Sequence, residues 1–219
     1  MRNLFILPVC GLVLGLSAYL GSSKSLADPV TVRLRLVDAK TGKDVGGIVR
    51  VTAEGKEEPL QLAGLFDRLR GLSRTSAARS WYVVPPKGAE VRLPRARLHV
   101  EAVQGLETAF ARQELDLRDK TPEEVVVKLD FLFRPEQEGL TAGNTHLHLR
   151  DLSKDEADEY LRRVPAADGL RVMFISYLER KDDDKSYITN RYPVGEPAEF
   201  RGTGVLFNNG GENGTAKPL

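Results

Sequence analysis

Two of the three histidines in this 219-residue chain lie one residue apart, in "AGNTHLHLR" at positions 142 to 150. Residues i and i+2 of a strand project from the same face, so on a strand His146 and His148 would project together. Imidazole is among the commonest ligands of zinc-like ions, so the pair could hold a divalent cation. The same spacing also describes two polar residues on the solvent side of a strand. The third histidine, His99, sits in "RLHVEA" with no second ligand type close by in sequence, and reads as a half-exposed strand residue. Other chemistry lacks a carrier: there is no G-x-S-x-G elbow, no phosphate loop, and the single cysteine is Cys10. Ser176 and Ser186 have no base near them in sequence.

The elements around the pair give it a position. "TAGNTHLHLR" reads as a short strand, and "DLSKDEADEYLRRVPAADG" after it carries a helix signature. Ser153 with Glu156 forms an S-x-x-E capping box, acids crowd the first turn, and Arg162 and Arg163 are expected in the last. Ala157, Tyr160, Leu161 and Val164 fall at i, i+3, i+4 and i+7, one apolar face, and Pro165 is expected to stop the helix. "GLRVMFISYL" is a nearly continuous apolar run suited to a buried parallel strand. Strand, helix and strand with short loops make a βαβ unit, which places His146 and His148 at the carboxyl end of its first strand. In βα barrels that end carries the active site.

Residues 30 to 133 follow a different rule. In "TVRLRLVDAKTGKDVGGIVRVTA", Val32, Leu34 and Leu36 share one face while Arg33 and Arg35 take the other, and "DAKTGKD" supplies a reversal. "RARLHVEAV" and "TAFARQELDL" repeat the alternation around "QGLE", and "EEVVVKLDFLF" closes the series. Short alternating strands separated by turn signals predict a β-sandwich with two half-buried faces, sufficient for 29 to 134 to fold alone. "LFDRLRGLSR" reads as a helical turn or two or as an Arg-rich loop, the loop being preferred. Trp81 and Tyr82 read either as an aromatic platform for a sugar or as a plug at the sandwich end.

The N-terminus predicts export. Arg2 is followed by an apolar stretch from Leu4 to Leu20 and then by Ser25-Leu26-Ala27, the pattern of a secretory signal peptide cleaved after Ala27. Its removal takes two basic residues and no acid, leaving 30 basic against 31 acidic, a net charge of −1. The mature chain would then lack cysteine, and with it disulfides and thiol chemistry. No basic stripe with interleaved aromatics is present, which argues against a nucleic-acid partner. A secreted or periplasmic location follows, without stable membrane insertion after cleavage.

Two resemblances extend this reading. The opening "VRLRLVDAKTGKDVGGIVRV" and "LPRARLHVEAVQGLE" resemble the carboxypeptidase-regulatory-like, transthyretin-like sandwiches of secreted bacterial proteins. "GLTAGNTHLHLR" resembles the first motif, G-D-x-H-x-H, of the PHP (polymerase and histidinol phosphatase) metallohydrolases, closest to the secreted branch related to carbaryl hydrolase. Gly143, His146 and His148 match, and Asn144 stands where Asp is usual. In that family the second strand ends in Asp-His, where this chain has Leu178-Glu179.

The resemblance implies a multidomain β plus α/β chain. Its parts are a signal peptide at 1 to 27, a transthyretin-like β-sandwich at 28 to 134, and the first βαβ portion of a PHP-type βα barrel at 135 to 219. It also implies a divalent metal, zinc or manganese, with His146, His148, Glu179 and Glu212 as candidate ligands. Asp182, Asp183 and Asp184 read as a solvated turn. The implied activity is metal-dependent hydrolysis of phosphoester, ester or amide bonds in a small-molecule or cell-surface substrate. No catalytic residue beyond the ligands is assigned. About 80 residues follow Gly139, against roughly 200 or more for a complete barrel, so a truncated, weakly active or inactive enzyme is expected. The alternative is a non-catalytic secreted module in which the sandwich binds or supports.

Overall fold

The computed structural model describes residues 28–70, 80–147, 149, 152–178, 198–200 and 202–212. The expected signal peptide at 1 to 27, His148, Glu179 and the acids at 182 to 184 lie outside the described residues. The chain is mostly β-sheet with one α-helix among the described residues.

The first strand sets the pattern. In β1 (Val30–Asp38) Val32, Leu34 and Leu36 are buried while Arg33 is exposed and Arg35 half-buried, as the alternation requires. One edge of β1 pairs antiparallel with β6 (Ala89–Leu93) and with the short β2 (Asp44–Val45). Its other edge pairs in parallel with β9 (Glu124–Leu129). A second sheet runs in the order β4 (Phe66–Asp67), β5 (Tyr82–Val84), β3 (Gly47–Ala53), β7 (Arg97–Val103) and β8 (Ala111–Asp116). The two sheets share one core, in which Leu34, Leu36, Val49, Val51, Leu98 and Leu129 are almost fully buried. His99 on β7 is paired with Glu114 of β8 and half exposed, as expected.

Asp38 closes the β1–β2 turn. Its carboxylate accepts hydrogen bonds from the Lys40 amide, the Thr41 hydroxyl and Arg134. Burial alone would raise its pKa, but these bonds outweigh it and hold the carboxyl down at about 2.

Beyond residue 134 a short 3-10 helix, Pro135–Glu138, leads to β10 (Gly143–Leu147). Helix α1 (Lys154–Ala167) then crosses to β11 (Val172–Leu178), which is parallel to β10. β13 (Leu206–Glu212) continues the sheet in parallel, and β12 (Ala198–Glu199) pairs antiparallel at its edge. The capping box forms with both of its bonds, and Ala157, Tyr160, Leu161 and Val164 are all buried.

Three local expectations are corrected. Helix α1 runs through Pro165 to Ala167, which leaves Arg162 and Arg163 before the last turn. A proline this close to the helix end forfeits one backbone bond. The turn closes regardless, with the amides of Gly169 and Leu170 donating to the carbonyls of Ala166 and Pro165. Gly169 takes the left-handed conformation (φ 76°) that such a closure requires. β9 stops at Leu129, leaving Leu132 and Phe133 exposed. Between Gln61 and Arg70 the chain is no simple surface loop, because Leu62, Phe66 and Leu69 are buried and Phe66–Asp67 pairs with β5.

The larger difference concerns the five-stranded sheet. Its second face is apolar too: Ile48, Phe66, Trp81, Val83 and Val103 form a core with α1, Leu147, Leu149, Met173 and Ile175. Helix α1 therefore lies between that sheet and the parallel one. A strand buried on both faces has no alternation to read, and Tyr82-Val83-Val84 is buried throughout. Trp81 and Tyr82 are only 7% and 8% exposed, which excludes the platform and leaves the packing role.

Candidate functional site

The candidate residues converge through strand order. β10, β11 and β13 are neighbours and run the same way, so their carboxyl ends form one edge. Leu147 and Leu149 belong to the core with α1, so the side of β10 facing away from that core carries the exposed His146.

The register is irregular there. Asn144 is level with Met173 and Leu147 with Ile175, so Thr145 and His146 together oppose Phe174. Such a bulge removes an amide from the ladder and re-aims a side chain. The His146 amide instead donates to Asn144 Oδ1 at 2.9 Å. The Asn144 side-chain oxygen supplies the acceptor that this local turn needs. At Gly143 an added Cβ would come within 3.3 Å of the Val172 carbonyl oxygen, so a side chain would crowd the strand pairing.

Glu212 is level with Leu178, the last residue of β11, while Glu179 lies outside the described residues. His146 lies lower. Leu147, Ile175 and Asn209 share a level, and Glu212 is three residues beyond it, ~10 Å further at ~3.3 Å per residue. Asn208, paired with Phe174, is level with the His146 bulge and buried. Sequence reasoning passed over it because an Asn in "FNNGGE" looks like turn composition. Among the described residues, no group of three or more His, Cys, Asp or Glu side chains is placed to hold a metal ion.

A second polar constellation joins the two halves. Arg68, just after β4, grips Asp168 at the C-cap of α1 through two bonds, Nε to Oδ1 at 2.8 Å and Nη2 to Oδ2 at 2.6 Å. Tyr160 lies beneath this pair, and burial pushes its phenol far up, so it stays protonated. Arg70 reaches Glu156 and Glu159 on the same helix. None of these residues stood out in the sequence, where isolated arginines and acids carry no distance information. The pair fastens helix to sheet, and with both partners committed to each other it is structural.

Comparison with known protein families, characterised proteins and solved structures finds no match to this chain.

Proposed function

We propose that the chain is a secreted, PHP-like metal-dependent hydrolase of low activity. In this reading a transthyretin-like sandwich supports the opening βαβ portion of a metal-binding βα fold. The observation that supports it is the parallel alignment of β10, β11 and β13 beside α1, with His146 exposed near the end of β10. Imidazole and carboxylate are the donor types of zinc and manganese sites. His146, His148, Glu179 and Glu212 are the residues that would hold the ion. A bound divalent ion supplies a water of lowered pKa, toward ~7. The chain's own contribution is to fix the His146 backbone through the Asn144 contact and to carry Glu212 at the end of β13. Substrates of this reading are small molecules or cell-surface groups with a phosphoester, ester or amide bond.

Titration with zinc and with manganese tests it. Weak, roughly stoichiometric binding that is lost in both His146→Ala and His148→Ala is expected, with hydrolysis of generic phosphodiesters slow or undetectable. Metal binding unchanged in both variants overturns the proposal. A second reading, a non-catalytic binding or structural module, rests on the core that the two sheets of residues 30 to 129 build between them. Export is part of the proposal, and mass spectrometry of the native protein should find Asp28 at the N-terminus.

A further inference from the structure

A cleft lies at the edge of the parallel sheet opposite the end that carries His146. It has a volume of about 600 Å³ and opens between the turn after β7 and the 3-10 helix, and its lining includes Ala142, Arg171 and Thr203. Ala142 and Arg171 immediately precede β10 and β11, and Thr203 lies just before β13, so the cleft lies at the amino ends of those strands.

Gln104 is the most informative residue in it. It is only 6% exposed. Its backbone amide donates to Thr108 Oγ1 and its carbonyl accepts from the same hydroxyl, but its carboxamide has no hydrogen-bond partner among the described residues. Buried side-chain amides are almost always satisfied, so one that lines a cleft and stays unpaired points to a ligand that completes it.

Glu107 stands beside it, half-buried and in no ion pair among the described residues. Burial raises its carboxyl pKa and the nearby charge of Glu136 raises it further, against the opposing pull of Arg171 and Arg134. Of these two cations Arg134 is already committed, bonded to Asp38 at 2.7 Å and stacked on Phe131. Arg171 is exposed and makes no side-chain ion pair among the described residues. Two carboxyls without an ion-pair partner call for a cation, the uncommitted guanidinium for an anion, and the amide can donate to one and accept from the other.

We propose that this cleft binds a small zwitterion of the free α-amino-acid type. The ammonium lies on Glu107 and Glu136, the carboxylate on Arg171, and the Gln104 carboxamide bridges the two. The site is independent of the metal-edge proposal.

Calorimetric titration of the full chain with glycine, leucine, glutamate and lysine tests this, with N-acetylleucine, leucinamide and glucose as comparison probes. At least one free amino acid should saturate below about 10 mM. Blocking either end of leucine should weaken its binding at least about tenfold, and glucose should not bind. Arg171→Ala, at an exposed position, should lose at least about tenfold with unchanged circular dichroism, and Gln104→Leu should do the same. His146→Ala should leave amino-acid binding intact. The proposal is overturned if no free amino acid saturates, if N-acetylleucine and leucinamide match leucine, if glucose binds as well, or if Arg171→Ala changes nothing.

Discussion

The core between the two β-sheets and the core around α1 are built on different terms. The first is made almost wholly from alternating strands, whose apolar residues face each other across the two sheets. The second has no such self-sufficiency. Helix α1 and the parallel sheet bury their apolar residues against Ile48, Phe66, Trp81, Val83 and Val103, all supplied by the other region. The dependence runs both ways, because without α1 that sheet would show five large apolar side chains to water. A region can thus own a complete core and still present a face that only its neighbour covers.

Core truncations test this difference most strongly. Leu36→Ala, at a site with 0% exposure, should cost about 3 kcal/mol in urea denaturation and raise amide exchange throughout both sheets that share its core. Leu161→Ala should cost a similar amount, with the faster exchange confined to α1 and β10 to β13. If Leu161→Ala loosens β1 and β9 equally, the two cores form one cooperative unit and the comparison fails.

The docking contact comes next. Gly105 has φ 52°, and a Cβ there would run into the carbonyl oxygen of Asp168 at the end of α1. Gly105→Ala should therefore destabilise by about 2 kcal/mol or more. Gly42→Ala, with φ 69° and open space around it, should cost only about 1 kcal/mol. Equal effects at the two positions would mean that helix and sheet are not held in contact there.

Arg68→Ala removes the bidentate grip on Asp168. Both side chains are partly exposed, so a loss of about 1–2 kcal/mol is expected, with the Leu161→Ala pattern of exchange. An effect spread over β1 and β9 would contradict a role at the docking contact.

The last effect, confined to acid pH, belongs to the first region alone. Asp38 has its carboxyl depressed from 3.8 to about 2 in the folded protein. A depressed folded pKa stabilises above the unfolded value, so this contribution is complete above pH 3.8 and is lost as pH falls through 2. Asp38→Asn should flatten the acid limb of stability between those values while leaving the slope near neutrality unchanged. An identical acid limb in the variant would show that other carboxylates dominate it.

These contrasts match what was legible in the residues. The amphipathic stripe of α1 and its Ser153–Glu156 box could be read directly, since both depend on separations of three and four residues. The end of α1 could not, because whether a late proline stops a helix depends on the bonds its last turn can still form. The second face of β3 and β5 was hidden for a different reason. A run such as Tyr82-Val83-Val84 records burial without saying which partner lies on each side. The unpaired carboxamide of Gln104 was equally hidden, because a glutamine in the turn "VQGLET" is ordinary until its surroundings are known.

By itself the sequence determined the alternation of β1, the position and apolar face of α1, and the parallel strand that follows. Each is set by side-chain periodicity within one element, which the order of residues records completely. Tertiary structure alone decided that α1 covers the outer face of the five-stranded sheet, that Arg68 meets Asp168 across 100 positions, and that a bulge sets His146 level with Phe174. Those outcomes depend on which surfaces are left uncovered once the elements form, and pairing over such separations leaves no period in the chain.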